Sequence, residues 1–149
     1  MLIGGLAASL RGAPYMTGDV DICYAKDDEN LERLARALRE LGAQLRGPGV
    51  PEDLPFQIHP ETFRLGDHFT FTTDAGKLDV MGVPSGTRGF ADLEAAAEPL
   101  DVEEMTIRVA SIDDLIAMKL AAGRTKDLAA AEELEAIKRL RRGSASDVT

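Results

Sequence analysis

The segment DVDICY at residues 19–24 limits the possible folds most, because it is a short strand pattern that carries two carboxylates. Period-two alternation turns Asp19 and Asp21 to one face of the predicted strand, with their Cα atoms about 6 to 7 Å apart. Two acids held in this way repel each other unless a positive group lies between them. The pattern therefore predicts an α+β domain in which a mixed or mostly antiparallel sheet packs against helices and carries the acids on its exposed face.

The length and composition predict one folded domain. The chain has 149 residues, of which 44% are hydrophobic and 29% are charged, and this is ordinary globular composition. No apolar run approaches the roughly 18 to 20 residues of a membrane span, and the first residues lack the pattern of a signal peptide. We therefore expect a cytoplasmic protein with no membrane association. Because Cys23 is the single cysteine, internal disulfides and cysteine-rich zinc clusters are excluded, and a small buried thiol is the expected role of this residue.

The charge argues against a broad DNA-binding surface. The chain carries 17 Lys and Arg residues against 26 Asp and Glu residues, a net charge of −9, whereas nucleic-acid backbones attract basic surfaces. The excess acid is central, with 4 basic residues against 12 acidic ones over residues 51–110. A small anionic ligand could still bind among such carboxylates if divalent cations accompany it.

The remaining patterns predict a single domain over residues 1–142, with a core over 1–110, C-terminal helices over 111–142 and a flexible tail over 143–149. Hydrophobic periodicity, turn residues and capping residues give the individual elements. The predicted strands span residues 1–3, 20–24, 69–73, 77–83 and 107–109. The predicted helices span residues 6–12, 31–41, 112–122 and 126–140. Two further segments are expected to face solvent, a loop over 47–60 and an acidic stretch over 92–104.

Asp79 is a third acid on a predicted strand. It lies between Leu78 and Val80 in the second strand of the predicted hairpin, where an uncompensated charge is costly. Three strand-borne carboxylates suit Mg²⁺ or Mn²⁺, which prefer oxygen ligands. Two simpler interpretations stay open: Asp19 and Asp21 are edge-strand acids that face water, or Asp79 pairs with Lys77 in the hairpin.

Gly4 and Gly5 form a glycine pair at the predicted turn from the first strand into the first helix. Glycine lets the backbone approach a ligand closely and leaves N–H groups free at the start of a helix, an arrangement that binds phosphate. A plain turn is the alternative. The order along the chain favours a site, because the paired acids follow the glycines after one helix and Asp79 follows later.

That order resembles the nucleotidyltransferase fold shared by DNA polymerase beta and the kanamycin and lincosamide nucleotidyltransferases, and it is most similar to the bacterial minimal and abortive-infection-type enzymes. The family pattern has a Gly-Gly-x-Ala motif, an Asp-h-Asp motif (h, apolar), a strand h-Asp-h and a helical segment that ends near Arg-x-Lys-Asp. The matching segments are residues 4–7, 17–21, the strand around Asp79, and 111–127.

The resemblance implies a role for each acid. Asp19 and Asp21 would hold two divalent cations, Mg²⁺ or Mn²⁺, on a nucleoside triphosphate such as ATP. Asp79 would bind one of these ions and help to deprotonate the attacking hydroxyl. Two ions about 3.5 to 4 Å apart stabilise the charge on both the incoming and the departing oxygen.

The resemblance also implies a phosphate-binding rim. Gly4 and Gly5 would hold the triphosphate through main-chain N–H groups, while Lys119, Arg124 or Lys126 would neutralise its outer phosphates. Basic residues on or beside helices also form solvated faces and C-terminal caps, so this alternative stays open for the three cations.

The leading hypothesis is metal-dependent transfer of a nucleoside monophosphate from a nucleoside triphosphate to a hydroxyl on a small molecule, a protein or an RNA end. The alternative is a catalytically inactive relative that acts through protein contact in a toxin–antitoxin or regulatory pair. Tyr15, which replaces an arginine of the family pattern, favours this alternative. Ala130, which replaces a further aspartate of many relatives, is a second departure from the pattern. A homodimer is a third, less favoured expectation.

Overall fold

The computed structural model describes residues 1–14 and 16–146, in which seven strands and six helices are defined. The strands are β1 (Leu2–Ile3), β2 (Asp19–Cys23), β3 (Gln44–Leu45), β4 (His68–Thr73), β5 (Gly76–Met81), β6 (Glu98–Val102) and β7 (Met105–Val109). The helices are α1 (Gly4–Leu10), α2 (Asp28–Glu40), α3 (Pro60–Leu65), α4 (Phe90–Ala96), α5 (Ile112–Ala122) and α6 (Thr125–Ser146).

All seven strands belong to one sheet in the order β3-β4-β5-β2-β1-β7-β6. The sheet is mixed, because β2 runs antiparallel to β1 but parallel to β5, and β1 runs parallel to β7. Helices pack against the sheet and the chain ends in α5 and α6. This architecture confirms the predicted α+β class with a mixed sheet and C-terminal helices.

Two hydrophobic cores cover the two faces of the sheet. The first combines buried residues of α1, α4, α5 and α6 with those of β1, β2 and β7, and it includes Cys23. The second combines α2 and α3 with β4 and β5, and it includes Tyr24. Because alternate residues of a strand share a face, Asp19 and Asp21 lie on the same side as Cys23. The acids therefore face the first core and are half-buried, which corrects the prediction that they lie on an open, exposed face.

The strongest local patterns form the elements that they predict. Helix α2 begins after Asp27, whose carboxylate accepts a hydrogen bond from the backbone N–H of Asn30 at 2.9 Å, and such a cap stabilises a helix start by about 1 kcal/mol. Strands β4 and β5 form the predicted hairpin, with Thr73 opposite Gly76. The chain turns at Gly76 with φ +120°, a conformation that glycine adopts without a steric penalty.

Four elements are missing from the sequence prediction. Strand β3 and helix α3 are short, and α3 begins at Pro60, where the predicted loop ends. Helix α4 and strand β6 lie in the acidic stretch that was expected to be a solvated face. Leu93 of α4 is fully buried and Leu100 of β6 packs against the first core, so a few inward apolar residues anchor a segment whose acids face water. Helix α6 runs to Ser146, beyond its predicted end at Leu140.

Arg11 connects helix α1 to the end of β7. Its guanidinium donates to the backbone carbonyl of Val109 at 3.0 Å and twice to that of Ala110, at 3.0 and 3.2 Å, and it pairs with Glu98. The side chain is buried, and charged donors make the stronger hydrogen bonds in proteins. Arg11 therefore joins the end of the first helix to the end of β7, the strand next to β1. None of the helices in the described part of the chain has the length and apolar character of a membrane span.

We expect Arg11→Met to lower the free energy of unfolding by about 2–4 kcal/mol, because two inward-facing carbonyls lose their donor. Urea unfolding followed by circular dichroism measures the change. Arg33→Met is the matched control, since Arg33 and Glu29 form an exposed pair on α2 that is worth less than about 0.5 kcal/mol. Equal losses for the two variants would contradict the anchoring role of Arg11.

Candidate functional site

The sheet brings the three predicted acids together at one cavity. Strands β2 and β5 are parallel neighbours, and Asp21 lies directly opposite Asp79 in their register. Asp19 lies on the same face of β2 as Asp21. All three carboxylates line a cavity of about 550 Å³ between the sheet and the C-terminal helices. The topology therefore places side chains that are far apart in sequence within one pocket.

Asp21 lies where its charged form is disfavoured. Burial raises its pKa above the usual range, and the neighbouring charges of Asp79 and Asp19 raise it further. The charge of Lys119 and a hydrogen bond from the backbone N–H of Gly5 oppose these effects without reversing the shift. The site thus holds more negative charge than its own cations compensate, and a further positive charge there would stabilise it.

Asp79 has a partner that the sequence analysis missed. Its Oδ1 lies 3.4 Å from the guanidinium of Arg46, and Arg46 also donates from Nε to the carbonyl of Phe71 at 3.2 Å. Arg46 follows β3, which reaches β5 only through β4. The hairpin alternative had named Lys77 as the counter-ion, whereas the ion pair of Asp79 is with Arg46. The only sequence signal was a basic residue immediately before a loop rich in glycine and proline.

The glycine pair lies against the acids. A Cβ on Gly4 would stand 2.2 Å from the Asp21 carboxylate oxygen Oδ2, and Gly4 has φ +69°, so a side chain is excluded on both grounds. A Cβ on Gly5 would stand 3.1 Å from Thr17. The absence of these side chains lets the backbone pack directly on Asp21 and keeps the cavity open at Gly5.

Two of the three predicted cations share one carboxylate. Asp127 near the start of α6 is only 1% exposed, and its oxygens lie 3.2 Å from Lys119 Nζ and 2.5 Å from Arg124 Nε. The hydrogen bond from Arg124, and then that from Lys119, hold the pKa of Asp127 below its usual range although burial opposes them. Lys119, Arg124, Lys126 and Asp127 all line the cavity with the acids. In the sequence, Asp127 is only the last residue of the matched segment 111–127, and no role was assigned to it.

The donor set suits a hard divalent cation that is bound together with a substrate. Asp19, Asp21 and Asp79 offer only oxygen ligands, which Mg²⁺ and Mn²⁺ prefer. Across residues 1–14 and 16–146, no three acidic, histidine or cysteine side chains meet closely enough to hold a metal ion by themselves. Mg²⁺ is commonly bound by one or two carboxylates together with substrate phosphates, and the arrangement of these acids fits that mode of binding.

Three further residues singled out in the sequence have distinct outcomes. Burial raises the pKa of the Cys23 thiol to about 11, so this residue is the expected inert buried thiol. Ala130 is buried and lines the cavity where many relatives carry an aspartate. Tyr15, which replaces an arginine of the family pattern, lies outside the described residues.

The comparisons with known proteins bear on the family and the fold. Residues 1–130 match the family described as "Nucleotidyl transferase AbiEii toxin, Type IV TA system". The crystal structure of the lincosamide antibiotic adenylyltransferase LnuA, lincomycin-bound, aligns with a TM-score of 0.57 at 13% identity, over 91% of this chain and 85% of that chain. At this identity the likeness shows the fold alone. No curated protein matches the sequence.

The raised pKa of Asp21 predicts that Asp21→Asn stabilises the protein at pH 7 by about 0.5–2 kcal/mol, a gain typical of relieving a strained functional-site group. The folded chain disfavours the charged form of the Asp21 carboxyl. Above its folded-state pKa, this group therefore lowers the free energy of unfolding. Below about pH 4 the carboxyl is protonated in both the folded and the unfolded state, so the effect disappears. Urea unfolding at pH 7 and at pH 3 should therefore show a gain only at pH 7. Asp53→Asn, in an exposed loop, is the control, and a loss of stability for Asp21→Asn at pH 7 would contradict the prediction.

The lowered pKa of Asp127 predicts the opposite effect for Asp127→Asn. This variant should lose about 1–3 kcal/mol at pH 7, because a buried carboxylate that accepts two charged donors is removed. The contribution of Asp127 is present above its unfolded-state pKa of about 3.9 and disappears as the pH falls through the lower folded-state value. The difference between wild type and variant should therefore shrink between about pH 4 and pH 2 in urea unfolding, and a constant difference would indicate a packing effect instead.

Proposed function

Because the chain belongs to the nucleotidyl transferase AbiEii toxin family of Type IV toxin–antitoxin systems, we propose that it transfers a nucleoside monophosphate from a nucleoside triphosphate to a hydroxyl acceptor in a metal-dependent reaction. The observation that carries this proposal is an arrangement within one cavity. Asp19, Asp21 and Asp79 lie on the sheet, and the cations and their partner lie on and between helices α5 and α6: Lys119, Arg124, Lys126 and Asp127. Acids on one side and cations on the other are what a metal-bound triphosphate requires.

The reaction exchanges one phosphorus–oxygen bond for another. The acceptor oxygen attacks the α-phosphorus, the bond from that phosphorus to the bridging oxygen breaks, and pyrophosphate leaves. Asp79, at the edge of the acid group, accepts the proton of the acceptor hydroxyl, and Asp19 and Asp21 would hold the divalent ions. Mg²⁺ or Mn²⁺ bound there supplies the positive charge that stabilises the attacking and departing oxygens.

The cationic side of the cavity binds the departing phosphates. Lys119 and Arg124 keep donors beyond those used by Asp127, since Arg carries five N–H groups and Lys three. Arg124 is 64% exposed, so it can move to meet a triphosphate. Asp127 holds these two side chains in the cavity and is a positioning residue. Gly5 keeps the cavity open beside Thr17 because it carries no side chain, whereas its N–H, which was expected to bind phosphate, donates to Asp21.

The finer assignments rest on the relatives. We propose ATP as the donor because the similar structure is an adenylyltransferase, and a protein partner because the family description names a toxin–antitoxin system. The acceptor is a hydroxyl on a small molecule, a protein or an RNA end. We propose a cytoplasmic location, where nucleoside triphosphates are available.

One observation favours the inactive alternative. Arg46 forms an ion pair with Asp79, and the carboxylates of the described residues do not form a closed three-ligand metal cluster. In a catalytically silent protein that acts through a partner, this ion pair would persist when Mg²⁺ and ATP are added. Binding of neither ATP nor Mn²⁺ by calorimetry, together with a stable complex with the product of a neighbouring gene, would favour this alternative.

We expect Asp19→Asn and Asp21→Asn each to reduce label transfer from α-³²P-ATP by at least about 100-fold, because each removes a charge that holds the metal ions. RNA, protein and small-molecule fractions of a cell extract, supplied separately with Mg²⁺ or Mn²⁺, serve as acceptors. Both variants should also bind Mn²⁺ more weakly in calorimetry.

Two controls make this experiment specific. γ-³²P-ATP should label none of the fractions, since label from that position would indicate phosphoryl transfer instead. Asp53→Asn, in an exposed loop outside the cavity, should retain wild-type transfer. Unchanged transfer by Asp19→Asn or Asp21→Asn would exclude the proposed mechanism.

A further inference from the structure

A row of side chains crosses four strands of the sheet and ends at the acids. In the strand pairing, Asp21 lies opposite Asp79, and Asp79 lies opposite Thr70. Arg46 follows directly after β3, and its backbone N–H donates to the carbonyl of Thr70 at 2.9 Å. Residues that lie opposite each other on neighbouring strands share a face of the sheet. Four residues therefore form a row on the face that carries the site: Arg46, Thr70, Asp79 and Asp21.

Arg46 reaches Asp79 across the strand that lies between them. Neighbouring strands lie about 4.8 Å apart, so β3 and β5 are separated by about 10 Å. An arginine and an aspartate side chain can span this distance together, and the short side chain of Thr70 between them leaves the path open. Asp21 lies one strand further away and is beyond the reach of Arg46. The arginine therefore acts on one of the three acids.

Contacts with β4 fix the position of the Arg46 guanidinium. Its Nε donates to the carbonyl of Phe71 at 3.2 Å, and its Nη2 lies 3.4 Å from Asp79 Oδ1. Because the guanidinium is planar, a hydrogen bond from Nε also sets the direction of the Nη2 donors. The side chains of Arg46 and Asp79 are 31% and 19% exposed, so the pair is partly shielded from water. Arg46 is thus held in place to grip one oxygen of this carboxylate.

The second oxygen of Asp79 is left free. Within residues 1–14 and 16–146, Oδ2 has no hydrogen bond and no ion pair, whereas Oδ1 is held by Arg46. Asp79 also lines the cavity with Asp19 and Asp21. Of these three acids, only Asp79 forms an ion pair within the described part of the chain. The carboxylate is therefore fixed at one oxygen and available at the other.

A metal-binding role for Asp79 does not explain this arrangement. A guanidinium beside a carboxylate opposes the approach of a metal ion, because like charges repel. A group that must meet the hydroxyl of an acceptor has a different requirement, since proton transfer depends on the position of the accepting oxygen. A fixed Oδ1 and a free Oδ2 meet that requirement.

We propose that Arg46 is a positioning residue for Asp79: it holds Oδ1, so that Oδ2 stays in place to receive the proton of the acceptor hydroxyl. This inference rests on the proposed function. The proton passes from the hydroxyl to Oδ2, and the electron pair of the broken O–H bond stays on the oxygen that attacks the α-phosphorus. Arg46 acts only through Asp79, so its loss should slow the transfer step and leave the binding of metal and nucleotide intact.

Arg46→Met removes the proposed contact, and two measurements separate binding from transfer. Calorimetry with Mn²⁺ measures the binding of α,β-methylene-ATP, which cannot transfer its nucleotide. Label transfer from α-³²P-ATP, into the extract fraction that the wild-type protein labels, gives the rate at saturating ATP and the KM for ATP.

Lys77→Met is the matched control for the loss of a positive charge. Lys77 lies on the same face of β5 as Asp79, two residues earlier and opposite Asp19. Within the described residues it forms no ion pair with Asp79, whose partner is Arg46. A third variant, Arg46→Lys, keeps a charged donor at the position of the arginine.

We expect Arg46→Met to lower the transfer rate at saturating ATP by at least about 10-fold, while the KM for ATP and the binding of α,β-methylene-ATP each weaken by less than about 2-fold. Lys77→Met should change the transfer rate by less than about 2-fold. Arg46→Lys should transfer at least about 3-fold faster than Arg46→Met, because it restores a donor to Oδ1.

Several results would overturn the inference and leave the proposed function in place. They are unchanged transfer by Arg46→Met, equal losses of binding and transfer in that variant, an equal loss of transfer in Lys77→Met, and no recovery in Arg46→Lys. A wild-type protein that labels no fraction would overturn the proposed function, and the inference with it, and would favour the inactive alternative.

Discussion

Burial of one carboxylate beside two others on neighbouring strands is the constraint on which the site depends. Asp21 lies opposite Asp79 and two residues from Asp19, and burial on this face of the sheet raises its pKa. A protein selected only for stability would avoid this arrangement, and local conflicts of this kind are expected at functional sites. The surrounding fold supplies the stability that the conflict removes. Two hydrophobic cores pack on the two faces of the sheet, and Arg11 joins helix α1 to the end of β7.

The opposing charges are held by a different device. Asp127 is buried at the start of α6 and keeps Lys119 and Arg124 over the acids. Without Asp127, these two long and flexible side chains would extend into solvent. The entropy lost in ordering them would then weaken the binding of substrate. The site therefore combines a strained anionic side with a preorganised cationic side, which is suited to a ligand that brings both negative phosphates and positive metal ions.

Local sequence patterns predicted the elements whose signal is strong within a short window. Three such signals are the alternation in β2, the helical spacing of apolar residues in α2 and the turn between β4 and β5. Each can be recognised from residues that lie close together in the sequence. Helix α4 and strand β6 were missed because their many acids dominate the composition, while burial of Leu93 and Leu100 depends on the distant first core. Short elements such as β3 and α3 have too few residues for a periodic signal.

The sequence by itself determined which carboxylates share a face and in what order the glycines, acids and cations occur, because period-two alternation is a property of the strand alone. Only the tertiary structure decided that Arg46 pairs with Asp79, that Asp127 pairs with both Lys119 and Arg124, and that the acids and these two cations line one cavity. These features depend on which strands become neighbours and on how α5 and α6 cross the sheet. Such choices are set by the packing of whole elements, to which residues far apart in the chain contribute together.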